Sequence, residues 1–211
     1  HIASIELNLS TFLLAPAMIV ALYLISTDEQ ISGIKRSILQ GLLLAGILCL
    51  KLTYTSFVLS YFVMYSCLYV LSTKTRTKAL IELGMTFLVT VMALWPWMIN
   101  SYQSTGTMMF PLLGTGFHAM TYGYFKQQPI PLNIIGQFLI REMTHPILLA
   151  NTLLMFVGLK GSLRQNVGLI SLFVSTLIFT AVTDFFTPYR PYAYPLLMVS
   201  FIVFVYEAIG N

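Results

Sequence analysis

The chain has 211 residues, 57% of them hydrophobic and only 9% charged, with a mean hydropathy of +0.83. Soluble globular domains carry roughly 25% charged residues, so this composition excludes one and points to an integral membrane protein. The net charge of +4 comes from basic residues scattered between apolar runs rather than gathered on one polar face, which argues against a nucleic-acid partner.

Crossing a hydrocarbon core of roughly 30 Å takes about 20 apolar residues in a helix. In chain order the sequence predicts spans at Thr11–Ser26, two within Ile38–Leu71, then Ala79–Ile99, His145–Leu159, Val167–Phe185 and Pro191–Ile209. As one helix, Ile38–Leu71 would run about 51 Å, far more than a tilted span needs. Two helices meeting near Lys51–Thr55 fit better. They place Lys35/Arg36 and Lys74/Arg76/Lys78 on one face of the membrane, together with Lys160 and Arg164. Positive-inside bias makes that face cytoplasmic. The expected fold is an all-α transmembrane bundle of seven spans, a single domain over residues 1–211. His1 heads the sequence and no basic segment precedes an apolar one, so no signal peptide is expected, and the chain is read as part of a longer protein.

The extracytoplasmic side then holds Lys51, Lys126, Arg141 and Arg190, with Glu6, His118, Glu142, His145 and Asp184, none of which the charge rule explains. It also holds a connection, residues 101–144, too long for a passive link in a bundle. Trp95, Trp97, Tyr102, Phe110, Phe117, Tyr122, Tyr124 and Phe125 supply aromatic surface suited to a membrane interface or to sugar rings. Within it, Leu132–Thr144 sets Ile134, Ile135, Phe138, Leu139 and Met143 against Asn133, Gln137, Arg141 and Glu142, the pattern of a helix lying on the membrane surface. Cys49 and Cys67 lie in apolar runs without metal-ligand spacing and read as buried small hydrophobes. The sequence has no phosphate-binding loop, no dinucleotide fingerprint and no HExxH or GxSxG motif.

The segment LWPWMINSYQSTGTMMFPLLG, Leu94–Gly114, resembles the PW-x-x-R-N-Y-x-x-T-G-N-P-x-x-P segment of polytopic GT-C glycosyltransferases, where a helix exits at the outer face beside the active site. Pro96 weakens the helix, and Gly106 with Pro111 keeps it from continuing. GLLLAGILCLKLTYT, with Gly41, Gly46 and Lys51, looks like the family's G-x-x-x-G-x-x-x-x-x-K segment, and YRPYAYPLLM, with Arg190 and Pro195, is similar to its late R-Y-x-x-P-x-x-P element. The departures are Asn100-Ser101 in place of Arg-Asn and Thr107-Met108 in place of Asn-Pro.

The resemblance, to enzymes of the dolichyl-phosphate-mannose protein mannosyltransferase and aminoarabinose transferase kind, implies an inverting transferase. It would move a sugar from a polyprenyl-phosphate donor to a lipid, glycan or protein acceptor at the extracytoplasmic face of a bacterial cytoplasmic membrane. The family's main acid is expected upstream of these residues. Glu6 is the candidate second acid. Lys51 and Arg190 are the candidate cations for the departing phosphate, and Tyr102 and His118 the candidate substrate contacts. No metal ligand set is expected, the lipid-linked sugar being the one cosubstrate implied, with a divalent cation left open. Two other classes stay open: a carrier or lipid flippase, for which no internal repeat is found, and a noncatalytic scaffold of an envelope-assembly complex.

Overall fold

The computed structural model describes residues 2–50, 54–108, 116–118, 123–125, 136–137, 140, 146–159, 162–185 and 193–210. Among them are seven long helices: α1 (Ile2–Thr27), α2 (Gly33–Leu50), α3 (Thr55–Ser72), α4 (Arg76–Thr105), α5 (Pro146–Gly158), α6 (Leu163–Phe185) and α7 (Ala193–Gly210). Four contain segments long and apolar enough to cross a membrane: Gly33–Leu50, Thr55–Ser72, Arg76–Ser104 and Leu163–Val182. The chain is therefore an integral membrane protein with a helical core. The apolar segments Leu13–Thr27, Pro146–Gly158 and Pro195–Gly210 are shorter. Among the described residues the sheet structure is a small antiparallel hairpin, β1 (Gly116–His118) and β2 (Gly123–Phe125), which pairs Phe117 with Tyr124.

The apolar run from residue 38 to 71 is two helices, as its length requires. α2 ends at Leu50 and Tyr54 already stands at the head of α3, fully buried and stacked on Phe179 of α6 at 5.1 Å. From there the inner face of α3 repeats an aromatic every fourth residue: Phe57, Tyr61, Tyr65 and Tyr69, with successive ring centroids 5.9, 6.0 and 5.7 Å apart. Side chains four apart on a helix stand one above the other, so this stripe forms a continuous wall. It packs along α6. α4 lies along α2, and α5 along α7, while α1 touches α2, α6 and α7 and so joins the halves of the bundle.

Close contacts use glycine where two backbones approach. A Cβ on Gly41 of α2 would stand 2.8 Å from the Thr86 carbonyl oxygen and from Val89 of α4. The Thr90 hydroxyl donates to the Gly41 carbonyl across the same contact at 3.3 Å. Gly168 lets α6 reach α1, its absent Cβ falling 2.6 Å from Thr27 Cγ2. Such small-residue contacts carry helix association where lipid supplies no hydrophobic drive. The outward faces are apolar, with Leu42, Leu59, Met92, Leu153 and Ile202 all exposed. Cys49 and Cys67 are also exposed, on the outward sides of α2 and α3, so they are not the buried hydrophobes the sequence suggests.

Two boundaries differ from expectation. α4 does not stop at Pro96; it runs on through Thr105 and closes at Gly106, whose positive φ of 78° and N–H bond to the Tyr102 carbonyl form a left-handed cap. Proline removes one backbone donor, which a membrane helix tolerates more readily than a soluble one. The connection expected from Ser101 thus begins only after Gly106. The first helix likewise starts earlier than the expected span: Glu6, expected just ahead of it, lies within α1.

Candidate functional site

Of the residues singled out for transferase chemistry, Tyr102 lies in the last turns of α4 and His118 on β1. With 30 residues α4 is roughly 45 Å long, more than the hydrocarbon thickness. Trp95 and Tyr102 are exposed on this part. His118 is the last residue of β1, paired with Gly123, and β1 contacts α4. Lys51 and Arg190 lie outside the described residues, as does most of Leu132–Thr144, of which Gly136, Gln137 and Ile140 are helical. Tyr102 and His118 thus lie on two elements, α4 and β1, that are in contact. Gly41, part of the lysine segment, has its own explanation in the α2–α4 contact. Among the described residues no group of His, Cys, Asp and Glu could hold a metal ion.

The opposite end holds a polar cluster that charge counting overlooks. Here the C-terminal ends of α1, α3, α5 and α7 meet the N-terminal ends of α2, α4 and α6, so residues 28–32 and 73–75 and the helix ends at Gly158 and Leu163 share one side of the molecule. Arg36 is only 3% exposed. One guanidinium nitrogen donates to the carbonyls of Asp28 and Ile31, at 2.7 and 2.6 Å, and the other stands 3.7 Å from the Glu82 carboxylate. A cation serving free carbonyls just past the end of a helix sits where the helix dipole favours it. Arg164, from α6, lies 5.3 Å above the Tyr69 ring, donates to its hydroxyl at 2.8 Å and approaches Glu82 at 3.9 Å. Tyr69 passes a hydrogen bond on to Glu82 at 3.2 Å. One carboxylate thus holds two guanidiniums and a phenol, and four helices end on it.

One turn deeper the same aromatic wall meets Ser26 of α1. Tyr61 and Gln40 donate to the Ser26 hydroxyl at 3.1 and 2.8 Å, Tyr65 donates to its carbonyl at 3.1 Å, and the hydroxyl itself donates to Leu22. Buried polar groups need such partners because the bilayer interior provides none. A second carboxylate, Glu207 near the end of α7, accepts from Tyr23 of α1 at 2.8 Å and from Gln165 of α6. On the far side Asn151 of α5 donates to the Leu197 carbonyl and the Ser200 hydroxyl of α7.

The sequence carried signals for this cluster. Glu82 stands inside an otherwise apolar predicted span, and an ionisable residue there is by itself a reason to look for partners. The four-residue period of Tyr61, Tyr65 and Tyr69, with Arg36 and Gln40 also four apart, would have marked the facing sides of α3 and α2. No family model matches the sequence, and neither curated proteins nor solved structures give a match.

Proposed function

We propose that the chain is the membrane part of a polytopic glycosyltransferase that takes its sugar from a polyprenyl phosphate, with seven spans and its active face at the end where α4 emerges. The observation that carries this reading is the course of α4 past Pro96 and its contact with β1. A tryptophan-flanked helix continues past Pro96, exposes Tyr102, ends at a left-handed Gly106 and touches a hairpin that carries His118. That arrangement suits an extracytoplasmic site roofed by aromatic surface. The concentration of Arg36, Arg164, Lys74, Arg76 and Lys78 at the other end supports a cytoplasmic assignment for that side.

In this reading Lys51 and Arg190 take the charge of the departing phosphate, and Glu6 assists at the membrane entry. The test is transfer from a labelled polyprenyl-phosphate sugar in membranes containing the whole protein. Lys51→Gln and Arg190→Lys should each lose about tenfold at unchanged abundance, equivalent to about 1.4 kcal/mol of transition-state stabilisation. Full rates in both variants would remove them from the site. Orientation has a separate check in a background lacking Cys49 and Cys67: cysteines at Thr75 and Gln165 should resist an impermeant thiol reagent in intact cells, and one at Gln127 should react.

A carrier is the second reading, and one observation favours it: Ser26, Gln40, Tyr61 and Tyr65 form a hydrogen-bonded polar patch within the bundle. Carriers place polar groups between helices along a transport path. Solute or lipid movement in reconstituted vesicles that fails in Gln40→Leu, with no sugar transfer by the parent, would replace the transferase reading.

A further inference from the structure

Where α5, α6 and α7 meet, their register follows from two contacts. Leu169 of α6 and Glu207 of α7 both approach the place a Cβ would occupy on Gly158 of α5, at 3.4 Å each. One turn further in, Phe173 of α6 packs on Phe204 of α7 with ring centroids 6.3 Å apart. Leu169, Phe173 and Thr176 follow one another at helical spacing along one face of α6, and Glu207, Phe204 and Ser200 do the same in the opposite direction along α7. The next step of the pairing sets Thr176 against Ser200. Ser200 in turn accepts from the Asn151 carboxamide of α5 at 3.3 Å. Three polar side chains from three helices thus share one level, about 10 Å along α5 from Gly158. None is more than 1% exposed, and Thr176 lies inside the membrane-spanning segment Leu163–Val182.

The hydrogen bonds at this level do not close. Ser171, Ser175 and Thr180 of α6 and Ser200 of α7 each return the hydroxyl to a carbonyl one turn back, at 2.6 to 3.0 Å. Thr176 does not, and its buried Oγ1 has no partner among the described residues. Asn151 donates from Nδ2 to the Leu197 carbonyl as well as to Ser200. A carbonyl can accept only from the nitrogen, so the carboxamide orientation is fixed and Oδ1 is the atom turned away. Oδ1 is also buried without a partner among the described residues. The two groups left over are complementary, one a pure acceptor and the other a hydroxyl able to donate. Hydrocarbon offers neither of them a bond, and leaving both unmade is costly.

We infer that a single buried water molecule is bound between α5, α6 and α7, accepting from the Thr176 hydroxyl and donating to Asn151 Oδ1. The Ser200 oxygen is the third partner, which gives the water the number of bonds that buried waters usually make. Water is the smallest molecule that both accepts and donates. An ion fits worse, because Asn151, Thr176 and Ser200 are all neutral. The consequence is structural: α5 pairs chiefly with α7, and the water ties it to α6 as well. A bridge of this kind is nearly as favourable as a direct hydrogen bond, and within the membrane it takes the place of the hydrophobic drive that lipid does not supply. The site belongs neither to the outer face nor to the cluster around Glu82, and it stands apart from the transferase reading.

The experiment is an experimental structure of the whole protein at a resolution that shows ordered water, joined to unfolding of the parent and Thr176→Val in detergent. The parent should show a density peak within about 3 Å of both Asn151 Oδ1 and Thr176 Oγ1. Valine keeps the shape of threonine and removes the hydroxyl, so the peak should vanish. The Asn151 oxygen is then stranded, and the folding equilibrium should shift about tenfold toward the unfolded state. Thr176→Ser, which keeps the hydroxyl, should keep the peak. A hydroxyl that is merely orphaned predicts the opposite sign, since its removal should leave stability unchanged or raise it, and that result overturns the inference. So does a parent structure in which no peak lies between the two atoms, or in which Thr176 bonds Asn151 directly. The parent and Thr176→Ser structures decide the matter even if the valine variant fails to fold.

Discussion

α4 and α6 have the same mean hydropathy over their apolar windows, 1.7, yet 61% of the α6 window is buried inside the protein and only 22% of the α4 window. Hydropathy reports that a segment leaves water; it does not say whether lipid or protein receives it. The distinction lies in the small and hydroxylated residues. α6 buries Gly168, Ser171, Ser175, Thr176 and Thr180, and the hydroxyls of Ser171, Ser175 and Thr180 return to carbonyls one turn back, which lets polar side chains pack without an external partner. α4 shows Leu80, Ile81, Phe87, Leu88 and Met92 to the outside, and its inward polar groups are the Thr86 and Thr90 hydroxyls and one ionisable side chain, Glu82.

The largest effect should come from that exception. Removing Glu82 leaves Arg36, with 3% exposure, and Arg164 without the carboxylate between them, and an uncompensated buried charge costs about 3 kcal/mol or more. Glu82→Ala should lower the midpoint of unfolding in a detergent titration by far more than any substitution on the outer face of α4. Adding Arg36→Leu should restore part of the loss, because the stranded cation goes with it. Strict additivity of the two would show that the pair is not coupled and that α4 lacks a special position.

Next in size is the contact that makes α6 central. Gly168→Ala introduces a Cβ 2.6 Å from Thr27 Cγ2 and 3.3 Å from the Tyr23 ring, so α1 and α6 must move apart. Overpacking of this kind costs about 1–3 kcal/mol. The check is thermal inactivation followed by fluorescence-detected gel filtration, where the variant should melt earlier. A compensating Thr27→Ser, which removes the obstructing methyl, should recover much of the loss. Parent-like melting in Gly168→Ala would mean that α1 and α6 are not tightly apposed.

Much of the helical framework was legible. The break between α2 and α3 follows from length, and the shared side of residues 28–32, residues 73–75 and the start of α6 follows from where Lys35, Arg36, Lys74 and Arg164 fall. The end of α4 was harder to read, because Pro96 is a local signal of interruption while the helix is held by its neighbours and capped ten residues later at Gly106. Arg36 shows the deeper difficulty. As a charge in a basic loop it satisfies the orientation rule fully, and nothing in one-dimensional charge counting asks whether it is also buried. Only the pairing of α2 with α4 brings Glu82 to it, and that pairing rests on a close approach at Gly41 which hydropathy cannot report. On the transferase side, Tyr102 and His118 are placed on an element and a hairpin that touch, whereas the proposed charge partners rest on sequence resemblance alone.

The smallest predicted effect is the sharpest probe of the difference between the two helices, because it uses the same chemical change as the Gly168 variant. Gly84 lies on the exposed face of α4, and a Cβ built there meets nothing within 4 Å. Alanine at this position encounters no neighbour and restricts a backbone that glycine leaves free, so Gly84→Ala should stabilise the protein by about 0.5 kcal/mol. The sign is the informative quantity: one added methyl should raise stability on α4 and lower it on α6, two helices of equal hydropathy. Unfolding of the two variants side by side in the same detergent cancels any general response to glycine replacement. If Gly84→Ala destabilises as strongly as Gly168→Ala, the outward face of α4 is covered by another protein surface in the detergent particle, and lipid exposure is not what separates these helices. If both changes stabilise, the close approach of α6 to α1 is absent, and the central position of α6 must rest on its serine and threonine residues alone.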